Sequence, residues 1–136
     1  MVGVCVALHK MAGNKESAEL FSLKIGKVIE SLKIENDELR ITFENDSEPI
    51  KLFDDGQSCC ENRYMHTDDD LEYYVGAKLQ GAEVADGPEE EDEWGETKES
   101  QFLKVETSKG VFTVVNYNEH NGYYGGFAVE CAAVNP

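Results

Sequence analysis

The chain has 136 residues with a hydrophobic fraction of 40% and an aromatic fraction of 10%, which suits one domain, residues 1–136, with an ordinary core and argues against wholesale disorder. Its 28 acidic residues outweigh 12 basic ones, for a formal net charge of -16. A surface of that sign repels nucleic acid and anionic lipid, and no apolar run approaches the roughly 20 residues of a membrane span, so direct nucleic-acid binding and membrane insertion are not expected.

Residues 1–24 are the least patterned. Val2 to Leu8 is apolar but short, suits a strand, and lacks the basic leader and cleavage pattern of a signal peptide. Lys15 to Leu23 suits a helical turn or two. With no export signal, a reduced cytoplasmic setting is expected for Cys5, Cys59, Cys60 and Cys131. Adjacent Cys59 and Cys60 seldom bridge each other, because that disulfide is strained.

From Ile25 onward apolar residues recur with period two, the signature of strands with one buried face. Leu32 and Ile34, then Leu39, Ile41 and Phe43, then Ile50 and Leu52 predict a three-strand meander, with turns at Asn36-Asp37 and Asn45-Asp46-Ser47. Gln57 to Thr67 reads as a polar structured loop. Thr67 or Asp68 is positioned to cap a short helix over Asp69 to Val75, stopped by Gly76. Lys78 to Val84 is a further strand. Residues 86–99 carry eight acids against Lys98, a density that favours solvation and predicts a long acidic hairpin loop or insertion, with Trp94 pinning it to the body. Phe102 to Thr107 and Val111 to Asn116 form a hairpin around Ser108-Lys109-Gly110. Val111, Phe112, Val114 and Val115 make both faces of its second strand apolar and predict a central position. Phe127, Val129 and Cys131 end the alternation. The expected fold is mainly β (α+β): a single twisted, largely antiparallel sheet with one short helix and the acidic loop.

Two segments carry more chemistry than strands require. One is Gln57-Ser58-Cys59-Cys60-Glu61-Asn62-Arg63-Tyr64, followed by His66 and Asp68-Asp69-Asp70. The other runs from Asn116 through Asn118-Glu119-His120-Asn121-Gly122-Tyr123-Tyr124-Gly125-Gly126. The order of meander, Gln-x-Cys-Cys-Glu, Thr-Asp-Asp-Asp-Leu and Asn-Glu-His-Asn-Gly-Tyr-Tyr-Gly-Gly-Phe resembles a family of small uncharacterised proteins of bacteriophages and prophage-bearing bacteria, over roughly Ile25 to Phe127. The resemblance implies a phage or prophage context, and a host cytoplasm, but no reaction.

Four chemistries are open to these residues. Cys59, Cys60, His66, His120 and Cys131 are zinc-type ligands, yet no Cys-x-x-Cys or paired-His spacing supports them. Asp68 to Asp70 lack the alternation of a calcium loop. A nucleophilic Cys59 or Cys60 with His66 or His120 as base, and Asn118 or Glu119 as the orienting group, is chemically conceivable, without a spacing that demands it. Tyr64, Tyr117, His120, Tyr123 and Tyr124 suit a pocket that stacks a ring, with Asn116, Asn118 and Asn121 reading polar edges. The acidity also suits an inhibitor or DNA mimic that engages a basic host protein. The expectation is a non-enzymatic, phage-associated binding protein that sequesters a host small molecule or nucleotide-type signal, the acidic inhibitor being the alternative and a zinc-stabilised or cysteine-dependent enzyme the second alternative. The expected ligand residues are Tyr64, Asn118, His120, Asn121, Tyr123 and Tyr124, within a motif frame of Cys59, Cys60, Glu61, Gly122, Gly125 and Gly126. No cofactor, metal or catalytic residue is assigned. Open strand edges leave homo-oligomers plausible.

Overall fold

The structure, a computed structural model, describes residues 15–54, 61–91, 93, 95–120, 127 and 129–134. One helix, α1 (Lys15–Lys24), precedes eight strands: β1 (Ile29–Glu35), β2 (Glu38–Phe43), β3 (Ile50–Asp54), β4 (Asn62–His66), β5 (Leu79–Glu91), β6 (Thr97–Thr107), β7 (Gly110–His120) and β8 (Val129–Ala133). They form two four-stranded antiparallel sheets, ordered β1-β2-β3-β8 and β4-β7-β6-β5.

The expectation of a single sheet is therefore corrected. Period-two patterning says that each strand buries one face, but not what covers that face. Here the two sheets share one core: Leu39, Ile41, Phe43, Leu52 and Val129 from the first belong to the same buried cluster as Val84, Leu103, Val105, Phe112 and Val114 from the second. The meander occurs as read. Asn36 and Asp37 both adopt left-handed backbone (φ 54 and 58), the geometry that lets a two-residue hairpin turn follow the strand twist.

The helical expectations also shift. The segment Asp69 to Val75 makes only a 3₁₀ turn, Leu71–Tyr74, capped by the Asp70 side chain rather than by Thr67 or Asp68. Asp69 is already committed, accepting from the Thr113 N–H at 2.7 Å, and Gly76 turns the chain away at φ 92. The longer helix is α1. Ser17 Oγ accepts the Cys131 N–H at 3.0 Å, so the helix covers the outer edge of β8, and the Lys24 ammonium bonds Asp46 at 2.9 Å in the turn after β2.

The loop expected over Gln57 to Thr67 contains strand β4, and the acidic stretch is mostly ladder. β5 runs on to Glu91 and β6 starts at Thr97, pairing Glu89 with Glu99, Glu90 with Lys98 and Glu91 with Thr97. Alternation sends sequence neighbours to opposite faces and sets Glu90 beside Lys98, while Glu89 and Glu99 face each other as a like-charge pair. A bulge interrupts the ladder between Asp86 and Glu89. Gly87 sits in it, where a Cβ would lie 2.5 Å from Ser100 Oγ and 2.9 Å from Phe102 Cε2, so only glycine fits without displacement. The strand suggested for Val2 to Leu8 and the pinning role suggested for Trp94 lie outside the described residues.

The chain crosses from the first sheet to the second between Asp54 and Asn62, and returns between His120 and Val129. At one end of each crossing Asp54 pairs with Val129, and at the other Asn62 pairs with Glu119. The two crossings thus spring from neighbouring strands in both sheets.

Candidate functional site

β7 is central in its sheet, as its sequence predicts, but its apolar run does not bury both faces as expected: Val111 is 51% exposed, and alternate residues serve two different surfaces. On the inner face Phe112 and Val114 are fully buried core. Farther along, the same face turns polar with Asn116, Asn118 and His120, which are 1%, 0% and 6% exposed. Register puts Arg63 of β4 opposite Asn118, and Glu99 of β6 opposite it on the other side.

Arg63 is the hub of this inner network. Its Nη1 donates to both Asp54 oxygens, at 3.0 and 2.8 Å, and its Nη2 and Nε donate to Glu61 at 2.7 and 3.3 Å. Asn118 Nδ2 donates to the same Glu61 carboxylate at 2.8 Å. Burial works against the guanidinium charge, but the bonds to Glu61 and then Asp54 hold its pKa above the ordinary value. His120 Nε2 lies 2.8 Å from Glu99 Oε1. This network clamps the bases of the two crossings and ties β3 of one sheet to β4 of the other.

The outer face is different. Across the ladders it reads in rows: Glu90, Lys98, Glu119 and Asn62; then Ser100, Tyr117 and Tyr64; then Ala85, Phe102, Val115 and His66. Tyr64 and Tyr117 stack, with ring centroids 5.0 Å apart and planes inclined by 25°. The Lys98 ammonium sits 4.7 Å from the centre of the Tyr117 ring. Glu119 accepts from Tyr64 Oη at 3.3 Å and from Asn62 Nδ2 at 3.2 Å. Charge interaction with Tyr64, opposed by slight burial and helped by a hydrogen bond to Tyr64 and the Glu119 charge, raises the Lys98 pKa. Beside this shelf is a hollow of about 220 Å³, walled by Pro88, Phe102 and Val115 and open to Glu90.

The expected ligand residues therefore divide. Asn118 and His120 join Glu61 on the inner face, whereas Tyr64 stands on the outer face of the same sheet. Asn121, Tyr123 and Tyr124, with Cys59, Cys60, Gly122, Gly125 and Gly126, lie outside the described residues. His66 is on the outer face and His120 on the inner, so they do not converge on one ion. The Cys131 thiol is buried, which pushes its pKa up to about 12 and keeps it protonated. Asp68 pairs with His66, Asp69 receives a backbone N–H and Asp70 caps the 3₁₀ turn, so each of the three has its own structural task. Among the described residues no three potential metal ligands gather, and no described helix is long and apolar enough to cross a membrane.

Residues 22–129, which take in all seven strands from β1 to β7, match the family model of a domain of unknown function, DUF7448. The chain belongs to the DUF7448 family. No curated protein and no solved structure matches it. The DUF7448 match includes both the inner network and the outer shelf. Reading the sequence missed Asp54, Arg63, Glu99, Lys98 and Glu119 as members of these sites. The one available signal was the rarity of arginine: Arg63 is one of two in a chain with 28 acids, and it sits inside a motif.

Proposed function

We propose that this DUF7448 chain is a non-enzymatic binding protein whose partner is a basic protein surface, engaged by the β5–β6 hairpin and the adjoining outer face. The supporting observation is the hairpin itself. Its Glu89, Glu90, Glu91 and Glu99 carboxylates stand on paired strands, where alternate residues on one face lie about 7 Å apart. A fixed array of charges loses less entropy on binding than a mobile tail would. The formal charge of -16 adds long-range attraction for a cationic partner. In the phage or prophage setting implied by the motif resemblance, that partner is a host protein, and blocking it is the outcome.

A second reading, capture of a host small molecule, draws on the stacked Tyr64–Tyr117 pair beside the 220 Å³ hollow. Glu90 and Glu119 flank that hollow or its shelf, so a phosphorylated ligand meets repulsion there and a neutral or cationic ring does not.

The deciding experiment is capture from host lysate at low and high salt by the wild-type chain and by a Glu89→Gln/Glu90→Gln/Glu91→Gln variant. The proposal expects a basic protein that is retained at low salt, released by salt and lost with the variant. Salt-insensitive capture, or capture unchanged in the variant, overturns it.

A further inference from the structure

The outer shelf already holds a cation, and that cation belongs to the chain. Between residues 86 and 99 there are eight acids and a single base, Lys98, and it is Lys98 that lies over the Tyr117 ring. Its cross-strand neighbours are Glu90 on one side and Glu119 on the other. The seat thus combines an aromatic floor, two carboxylates and a hollow of about 220 Å³ lined by the apolar side chains of Pro88, Phe102 and Val115.

An ammonium uses only part of such a seat. A guanidinium is planar, is less strongly hydrated, stacks on an aromatic face and meets a carboxylate through two parallel N–H bonds. Its three-carbon stem suits an apolar wall. We propose that the Tyr64–Tyr117 shelf, with Glu90 and Glu119, is a seat for an arginine side chain of the partner, and that Lys98 is the internal occupant it displaces. This deepens the proposed function and rests on it: the hairpin attracts a basic surface, and the shelf selects arginine from among its cations. Lys98 then lowers affinity for every cation that lacks the stacking advantage, since a lysine arriving from outside gains little by replacing a lysine already there.

The test titrates the full chain calorimetrically with hexa-arginine amide and hexa-lysine amide at matched salt. Lys98→Met removes the ammonium from the seat. Lys104→Met removes an equal charge from the same face, two rows beyond Tyr117. The expected result is tighter hexa-arginine than hexa-lysine binding by the wild type. Lys98→Met should then tighten hexa-arginine about two- to fivefold more than Lys104→Met does, the size of an exposed cation–ring contact. Tyr117→Leu placed on Lys98→Met should erase that extra gain. Ring-proton shifts of Tyr64 and Tyr117 in the wild type, absent with hexa-lysine, provide a readout that needs no substitution. Equal gains from the two lysine variants, or a gain that survives Tyr117→Leu, overturns the seat and leaves the basic-partner reading standing. Failure of the wild type to bind either peptide at low salt overturns both.

Discussion

Replacing Arg63 with methionine should cost more than any exposed charge substitution in this chain. The Arg63 and Asp54 side chains are each 7% exposed and that of Glu61 only 1%. Methionine fills much of the volume, so the change is chiefly electrical: two carboxylates are left in a poorly hydrated site without their shared cation. Removing one partner of a buried pair costs about 3–5 kcal/mol, because the remaining charge loses its counter-ion where little water can replace it. Against a total stability of about 5–15 kcal/mol that is a large fraction. For a chain of this length it corresponds to a melting temperature lower by roughly 10–20 °C. Urea unfolding followed by tryptophan fluorescence and circular dichroism measures it. Adding Asp54→Asn and Glu61→Gln should recover a good part of it at pH 7. A loss below about 1 kcal/mol, the worth of an exposed ion pair, refutes the reasoning.

Two other outcomes follow from local electrostatics. The Asp46 carboxylate is held down to about 2 from 3.8, first by the Glu48 N–H and then by Lys24. A depressed native pKa contributes stability that is complete above about pH 4 and is lost as pH falls through about 2. Asp46→Asn should therefore lower the urea midpoint at pH 5 and progressively less at pH 3 and pH 2; a difference independent of pH would sink this account. Cys131, protonated and enclosed, should resist iodoacetamide at pH 8 in the native protein and be alkylated once urea unfolds it. Peptide mass mapping isolates it from the other three cysteines, and rapid native labelling of Cys131 would show that β8 opens readily.

Strand positions were legible because a half-buried strand must alternate. Leu39-Arg40-Ile41-Thr42-Phe43 announces which side chains go inside, and all three of its apolar ones do. The pairing of sheets was not legible, since Ile41 and Val114 would be equally satisfied by a helix or by a second sheet. The acidic stretch was misjudged for a related reason. Composition sums charges along the chain, whereas a ladder sorts them by face and sets Glu90 beside Lys98 rather than beside another acid. The inner network hid behind a parity that cannot be read from one strand. Asn116, Asn118 and His120 share a face with Phe112, but only the register against Arg63 turns Asn118 from a turn-like residue into a partner in a buried clamp.

The place of β8 has a consequence for how the chain becomes a folded object. Its partner β3 lies about 80 residues earlier, with the whole second sheet intervening. On the ribosome, β1 to β3 emerge early with Ile50–Asp54 as a bare, sticky margin, and the strand that seals it is made only after the whole of the second sheet. Contacts of such long separation are slow to form. A nascent chain stalled before Val129 would thus present an open template for pairing with a neighbour, and the yield of native protein should depend on a chaperone guarding that margin until synthesis has moved past β8.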